Sequence, residues 1–173
     1  LGTEITCSRI GGPGPDATVP AEEYDNLYTR FNPTKFDARK WVEAAAAMGA
    51  RYLVFTAKHG DGFCMFDSAL TDYTVTRSPF RRDIAAEVAA AVHAGGLRLG
   101  FYYSPSDWHH PDFRTARHRR YIEYLHGQVR ELCSNYGPVD ILWYDGAWYD
   151  GRYLSAELLD ARGMNAMARQ LQP

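Results

Sequence analysis

Cysteine is scarce: Cys7, Cys64 and Cys133 are the only three in 173 residues, too few and too scattered for a disulfide framework or a zinc knuckle. Neither sign of charge dominates. Nineteen Lys and Arg against 21 Asp and Glu leave a formal net charge of −2, so there is no electrostatic case for a nucleic-acid partner. No apolar run approaches the roughly 18 residues that a membrane-spanning helix needs, and no membrane partner is expected. No basic stretch precedes an apolar one at the start, and Leu1 is not an initiator methionine. The chain is therefore expected to be processed, trimmed or cut from something longer. Apolar residues (46%) and aromatics (14%, with 4 Trp and 12 Tyr) are plentiful. These are the proportions of a folded domain rather than a disordered chain. Sugar-binding clefts and large cores both use aromatics at this level.

Residues 1–20 hold Gly11, Gly12, Pro13, Gly14 and Pro15 and read as an irregular segment. Residues 21–173 read as one domain. A short helix is expected over 21–30, stopped by Pro33. A second is capped by Asp37 and closed by Gly49, with Trp41, Ala44, Ala45 and Met48 as its apolar face. Asp83 caps a third, which ends at Gly95 and Gly96. A long helix spans 117–135, with Tyr121, Leu125, Leu132 and Tyr136 on one face. A last helix is expected from Ser155 as cap. Between them, short β-branched and aromatic runs predict strands near 51–58, 97–104 and 139–145. Alternation of this kind implies α/β architecture with parallel strands and right-handed crossovers. A doubly wound sheet lacks its phosphate-loop signature here. Polar and aromatic residues instead crowd the C-terminal end of every strand, the chemical end of a (β/α)8 barrel. Three strands cannot close one, so the expectation is a partial (β/α)8 TIM-like barrel, a fragment of a catalytic domain.

Three clusters at those strand ends could carry chemistry. Lys58, His59, Gly60, Asp61, Gly62 and Phe63 follow the first strand, and read either as a polar binding site or as a tight turn with a satisfied histidine. Tyr102, Tyr103 and Ser104 end the second strand and lead to Asp107, Trp108, His109 and His110. Only one of the two tyrosines can face inward, and the adjacent histidines are poorly spaced for one metal ion. In the third, Trp143, Tyr144 and Asp145 end an apolar strand. A carboxylate there is costly unless it is bonded or used, and it could equally cap the next turn. Asp140, at the other end of that strand, reads as structural. A carboxylate ringed by Trp, Tyr and His suits glycoside hydrolysis, where it meets the charge that develops at the anomeric carbon.

The segments FNPTKFDARKWVEAAAAMGARYLVFTAKHGDGFCMFDSALTDYTV, RRDIAAEVAAAVHAGGLRLGFYYSPSDW and VDILWYDGAW, in this order, resemble the α-L-fucosidases of glycoside hydrolase family 29 over residues 20–173. The resemblance implies a (β/α)8-like catalytic domain that releases α-linked L-fucose from glycans or small fucosides with retention, without cofactor or metal. It implies a secreted, periplasmic or lysosomal-type compartment. Carried over residue by residue, it makes Asp145 the nucleophile. His59 becomes a ligand of fucose hydroxyls, and Tyr102 the strand-end tyrosine. Trp143 lines the pocket, and Lys58 and Glu22 are further substrate-binding candidates. The chain departs from the family at Gly60, where a second histidine is usual. The family's first strand motif has no match, and its acid/base falls outside this chain. Glu157 and Asp160 are not promoted to that role, because carboxylates on helix faces are usually solvated. Two readings compete with a retaining fucosidase. One is an inactive sugar-binding relative; the other is a metal-dependent barrel hydrolase using His59, His109, His110 and Asp145.

Overall fold

The computed structural model describes residues 19–145, 148, 149 and 152–173. Most of the irregular segment expected over 1–20 lies outside the described residues, as do Gly146 and Ala147. Three parallel strands, β1 (Tyr52–Lys58), β2 (Arg98–Tyr103) and β3 (Ile141–Tyr144), form one sheet in the order β1-β2-β3. Short helix α1 (Ala21–Asp25) and a 3-10 turn (Leu27–Arg30) come first. Helices α2 (Ala38–Ala47), α3 (Ile84–Ala94), α4 (His118–Asn135) and α5 (Ala161–Leu171) alternate with the strands. A two-residue antiparallel ladder, β4 (Trp148–Tyr149) against β5 (Arg152–Tyr153), follows β3. The sequence reading did not anticipate it. Among the described residues the parallel sheet has three strands, with β1 and β3 at its edges; the Met65 amide bonds the Ala57 carbonyl on the outer side of β1. The α/β class and the parallel order hold, and the sheet is an open one.

Caps set the helix starts. Asp37 accepts the amides of Arg39 (3.0 Å) and Lys40 (3.4 Å), two of the donors that a helix start leaves unpaired. Asp83 does more. One oxygen accepts the Ala86 amide at 2.9 Å, and the other accepts the Asp67 amide at 3.0 Å and the Tyr136 hydroxyl at 2.8 Å. A single carboxylate thus starts α3 and ties it to the loop after β1 and to the end of α4.

Two expectations need correction. The buried stripe of α2 is Ala38 and Val42, while Met48 is 81% exposed and Trp41 49%. The stripe is set by the approach of α3. A Cβ at Gly95 would stand 2.5 Å from a Val42 methyl, so α2 packs where that glycine makes room. Trp41 instead lies edge-on to Phe36 at 5.0 Å. Nor does Ser155 start the last helix. Its hydroxyl accepts the Leu158 amide at 3.1 Å within a separate turn. Asp160, left-handed at φ 44°, caps α5 through the Gly163 amide.

The two faces of the sheet differ. Phe55, Ala57, Leu99, Phe101 and Tyr103 are buried, in one cluster with Ile84, Val88 and Val92 of α3 and Tyr121, Leu125 and Leu132 of α4. Strand alternation sends Val54, Thr56, Gly100, Tyr102, Ile141 and Trp143 to the other face. There Gly100 is buried between its neighbours, where a Cβ would meet a Val54 methyl at 2.8 Å and the Ile141 Cβ at 3.0 Å. Replacing Gly100 by Ala is therefore expected to destabilise the protein by about 1–3 kcal/mol through overpacking. Urea denaturation measures this, and an unchanged midpoint would contradict the packing described.

Candidate active site

An irregularity in β1 decides which side chains reach the open face. The register runs Thr56 to Tyr102 and then Lys58 to Tyr103, so Ala57 and Lys58 together oppose one residue of β2. This is a β-bulge, a device that re-aims the side chains following it. Ala57 and Lys58 are both fully buried on the helix-covered face, and His59, half-buried, turns to the face that carries Tyr102. Without the extra residue, alternation would put Lys58 on the open face and His59 beneath the helices.

His59, Tyr102 and Asp145 form a chain of hydrogen bonds there. The Gly60 amide donates to His59 Nδ1 at 2.7 Å, so the neutral ring carries its proton on Nε2. His59 Nε2 lies 3.1 Å from the Tyr102 hydroxyl, which in turn donates to Asp145 Oδ2 at 3.4 Å. The imidazole stacks on the Tyr102 ring, centroids 5.4 Å apart and planes 15° from parallel. Trp143 meets the same ring edge-on at 6.0 Å. It is 54% exposed, and Asp145 is exposed as well. The arrangement is an open aromatic wall with a solvent-facing carboxylate beside it. Three of the four residues expected at its centre come from different strand ends, and Asp145 follows the last strand.

The other expected residues sit elsewhere. Lys58 faces away from the open surface. Its Nζ bonds Asp107 Oδ2 at 2.8 Å, with neither side chain appreciably exposed. Burial, the largest single influence, pulls its proton affinity down, but the Asp107 carboxylate together with Tyr121, Tyr124 and Cys64 holds it above the ordinary lysine value. Glu22 is exposed on α1. Tyr24 of α1 reaches the loop after β1, where its hydroxyl donates to Asp61 Oδ2 at 2.9 Å. The resemblance places an acidic-aromatic motif near Glu22, Glu23 and Tyr24 and pointed to the glutamate rather than the tyrosine, and α1 has no buried residue to mark its docked face. Burial pushes the Asp61 carboxyl above the usual range, against the hydrogen bond from Tyr24.

His109 and His110 diverge. His109 Nδ1 meets Asp25 Oδ2 at 3.0 Å, and its ring stacks on Tyr73. His110 Nδ1 accepts the Asp112 amide at 3.2 Å, and its ring packs against Tyr121 and Tyr124. The set His59, His109, His110 and Asp145 is not assembled. Among the described residues no group of three or more His, Cys, Asp or Glu is placed to hold a metal. Asp140 accepts the Leu99 amide at 3.1 Å, the structural part expected of it.

Burial lowers His59 below the ordinary histidine value, opposed by Asp61 and Asp145. An unfolded histidine takes up its proton near pH 6.5, and the folded one only at lower pH. Between the two values the unfolded chain binds more protons, so this residue's contribution to stability is lost as pH falls through that window. In an NMR titration, His59 is expected to stay neutral with Nε2–H down to a midpoint below 6.5. A midpoint above 6.5 would contradict the burial described.

The profile of the family described as Alpha-L-fucosidase matches residues 17–173. Alpha-L-fucosidase 1 of Arabidopsis thaliana is 40% identical over 120 residues, covering 68% of this chain and 23% of its own. An α-L-fucosidase isoenzyme 1 structure from Paenibacillus thiaminolyticus superposes with a TM-score of 0.80 at 43% identity, over 90% of this chain and 40% of that one. A GH29 α-L-fucosidase from Bacteroides thetaiotaomicron, solved as a trapped covalent intermediate with 2-fluoro-fucosyl fluoride, gives a TM-score of 0.80 at 36% identity, over 90% of this chain and 37% of that one. The chain thus spans about a quarter of the curated plant relative and less than half of each structural one. With the profile matching nearly its whole length, this chain belongs to the α-L-fucosidase family.

Proposed function

We propose that the three-stranded sheet is an arc of a (β/α)8 barrel, and that its open face is the fucose pocket of a retaining α-L-fucosidase. The observation that carries the reading is the Tyr102 hydroxyl, which links a neutral histidine to an exposed carboxylate beside an exposed tryptophan. In this proposal Asp145 attacks the anomeric carbon of an α-L-fucoside. The bond to the leaving oxygen breaks, its electron pair stays on that oxygen, and an acid carboxylate supplies the proton. The resulting fucosyl ester is then hydrolysed by water, which the same carboxylate deprotonates. Two inversions give net retention. The covalent intermediate trapped in the Bacteroides relative supports this course.

The roles of the neighbours follow from their donors and faces. His59 Nε2–H and the Tyr102 hydroxyl bond sugar hydroxyls, exchanging their contacts with each other and with Asp145 for contacts with substrate. The Trp143 ring packs on the C–H face of the sugar. The acid/base is assigned to a segment beyond this chain, because neither Glu157 nor Asp160 is aimed at the sheet face: Asp160 caps α5 and Glu157 lies in the turn before it. The substrate is a fucosylated glycan or a small fucoside.

The test is hydrolysis of an aryl α-L-fucoside by the intact protein, with product configuration followed by NMR. The α-anomer should appear first. Asp145→Gly should lower kcat/KM on the order of 10⁴-fold or more, as removal of a residue acting within a catalytic unit does. Azide should partly restore turnover by standing in for the carboxylate. Near-normal activity of the variant removes Asp145 from the mechanism. Fucose binding without turnover by the unaltered protein replaces the hydrolase with a sugar-binding relative.

A further inference from the structure

We infer that Lys58 and Asp107 are positioning residues for His59. Their buried ion pair holds the extra residue of β1 on the helix side and clamps the loop after β1 to the loop after β2, which fixes the imidazole on the open face. The inference rests on reading His59 as a sugar-binding residue.

The connections surround His59. On one side the Lys58 carbonyl accepts the Ser104 amide at 3.0 Å; on the other the Gly60 carbonyl accepts the Trp108 amide at 2.8 Å. Between these two backbone bonds, which join the loops, lies the Lys58–Asp107 pair at 2.8 Å. Asp107 Oδ2 takes the ammonium, while Oδ1 accepts the amides of His109 (3.1 Å) and His110 (2.9 Å). The same Oδ1 abuts Gly62, where a Cβ would stand 2.4 Å from it and where φ is +82°. Space and backbone both demand glycine there. The Lys58 ammonium also lies over the Tyr103 ring, 4.6 Å from its centroid.

Such a pair is a poor way to gain stability alone. Both charges leave water, and apolar residues of equal volume often serve a core as well or better. What the pair supplies is geometry. A lysine at position 58 that failed to find Asp107 would have every reason to seek solvent on the open face. That would slip the register by one residue and turn His59 inward.

The test is a double-mutant cycle in the intact protein: Lys58→Met, His59→Ala and both together. Each is assayed on an aryl fucoside well below its melting temperature and expressed per folded molecule. Lys58→Met leaves the Asp107 carboxylate buried without its cation, which loosens the clamp between the two loops, and should lower kcat/KM about 10–100-fold, the scale of a catalytic-site group displaced by about 1 Å. It should cost nothing further once His59 is already alanine. Equal factors in both backgrounds overturn the inference, as does a lower Tm with unchanged kcat/KM. If Lys58→Met does not fold, Lys58→Met/Asp107→Asn leaves no uncompensated ion and keeps the oxygen that accepts the two amides; it is read in the same way. Nitrogen-15 NMR of the His59 ring separates this inference from the fucosidase reading. A single Nε2–H tautomer in the unaltered protein that becomes mixed in the variant supports positioning even if no fucoside is hydrolysed. An unchanged ring signal overturns positioning even if one is.

Discussion

The extra residue in β1 and the ion pair beneath it set the geometry of the open face. β-Strand alternation is strict, so one added residue exchanges the two faces for everything that follows it. Ala57 and Lys58 share the helix side. His59 then falls in line with Tyr102 and Trp143, which unbroken alternation had already placed together on β2 and β3. A charged side chain stays on the buried side only with a partner, and Asp107 is that partner. The cost of burying two charges is offset in part by two further donors and an aromatic face: the amides of His109 and His110, and the Tyr103 ring.

Several polar groups on the helix side bond one another, while the Tyr144 hydroxyl and His126 Nε2 are buried without a hydrogen-bond partner among the described residues. Gln128 accepts the Tyr103 hydroxyl at 2.6 Å and donates to Ser68 at 3.2 Å, and Ser68 bonds Glu131 at 2.7 Å. Asp83 satisfies three donors from three segments. Networks of this kind fix one arrangement of helices on the sheet, because any slip strands a buried polar group. On the open face the contacts are longer and partly solvent-exposed, as between Tyr102 and Asp145. Those groups keep capacity for a ligand. The difference between the faces is the physical content of reading one as a core and the other as a candidate site.

The sequence was legible where local rules decide. Asp37 and Asp83 as caps, the three strands, and the Tyr121, Leu125, Leu132 and Tyr136 face of α4 follow from capping chemistry and periodicity. It was illegible where a neighbour decides. Trp41 and Met48 have the right spacing for a buried face, yet α3 approaches at Val42 because Gly95 lets it. Ser155 has the chemistry of a cap, but spends it on a turn five residues too early. The motif near Glu22, Glu23 and Tyr24 did not say which of the three is engaged, since Tyr24's partner Asp61 lies 37 residues away.

The amino-acid order by itself determined the α/β alternation, the parallel strand order, and the family in which His59, Tyr102, Trp143 and Asp145 fall at strand ends. These are properties of spacing, propensity and motif, and each is set within a few residues. Only the tertiary structure decided that Lys58 is buried against Asp107 while its neighbour His59 faces outward. A bulge is invisible in one strand alone, because it is defined by how two strands count against each other, and that pairing exists only once β1 and β2 lie side by side.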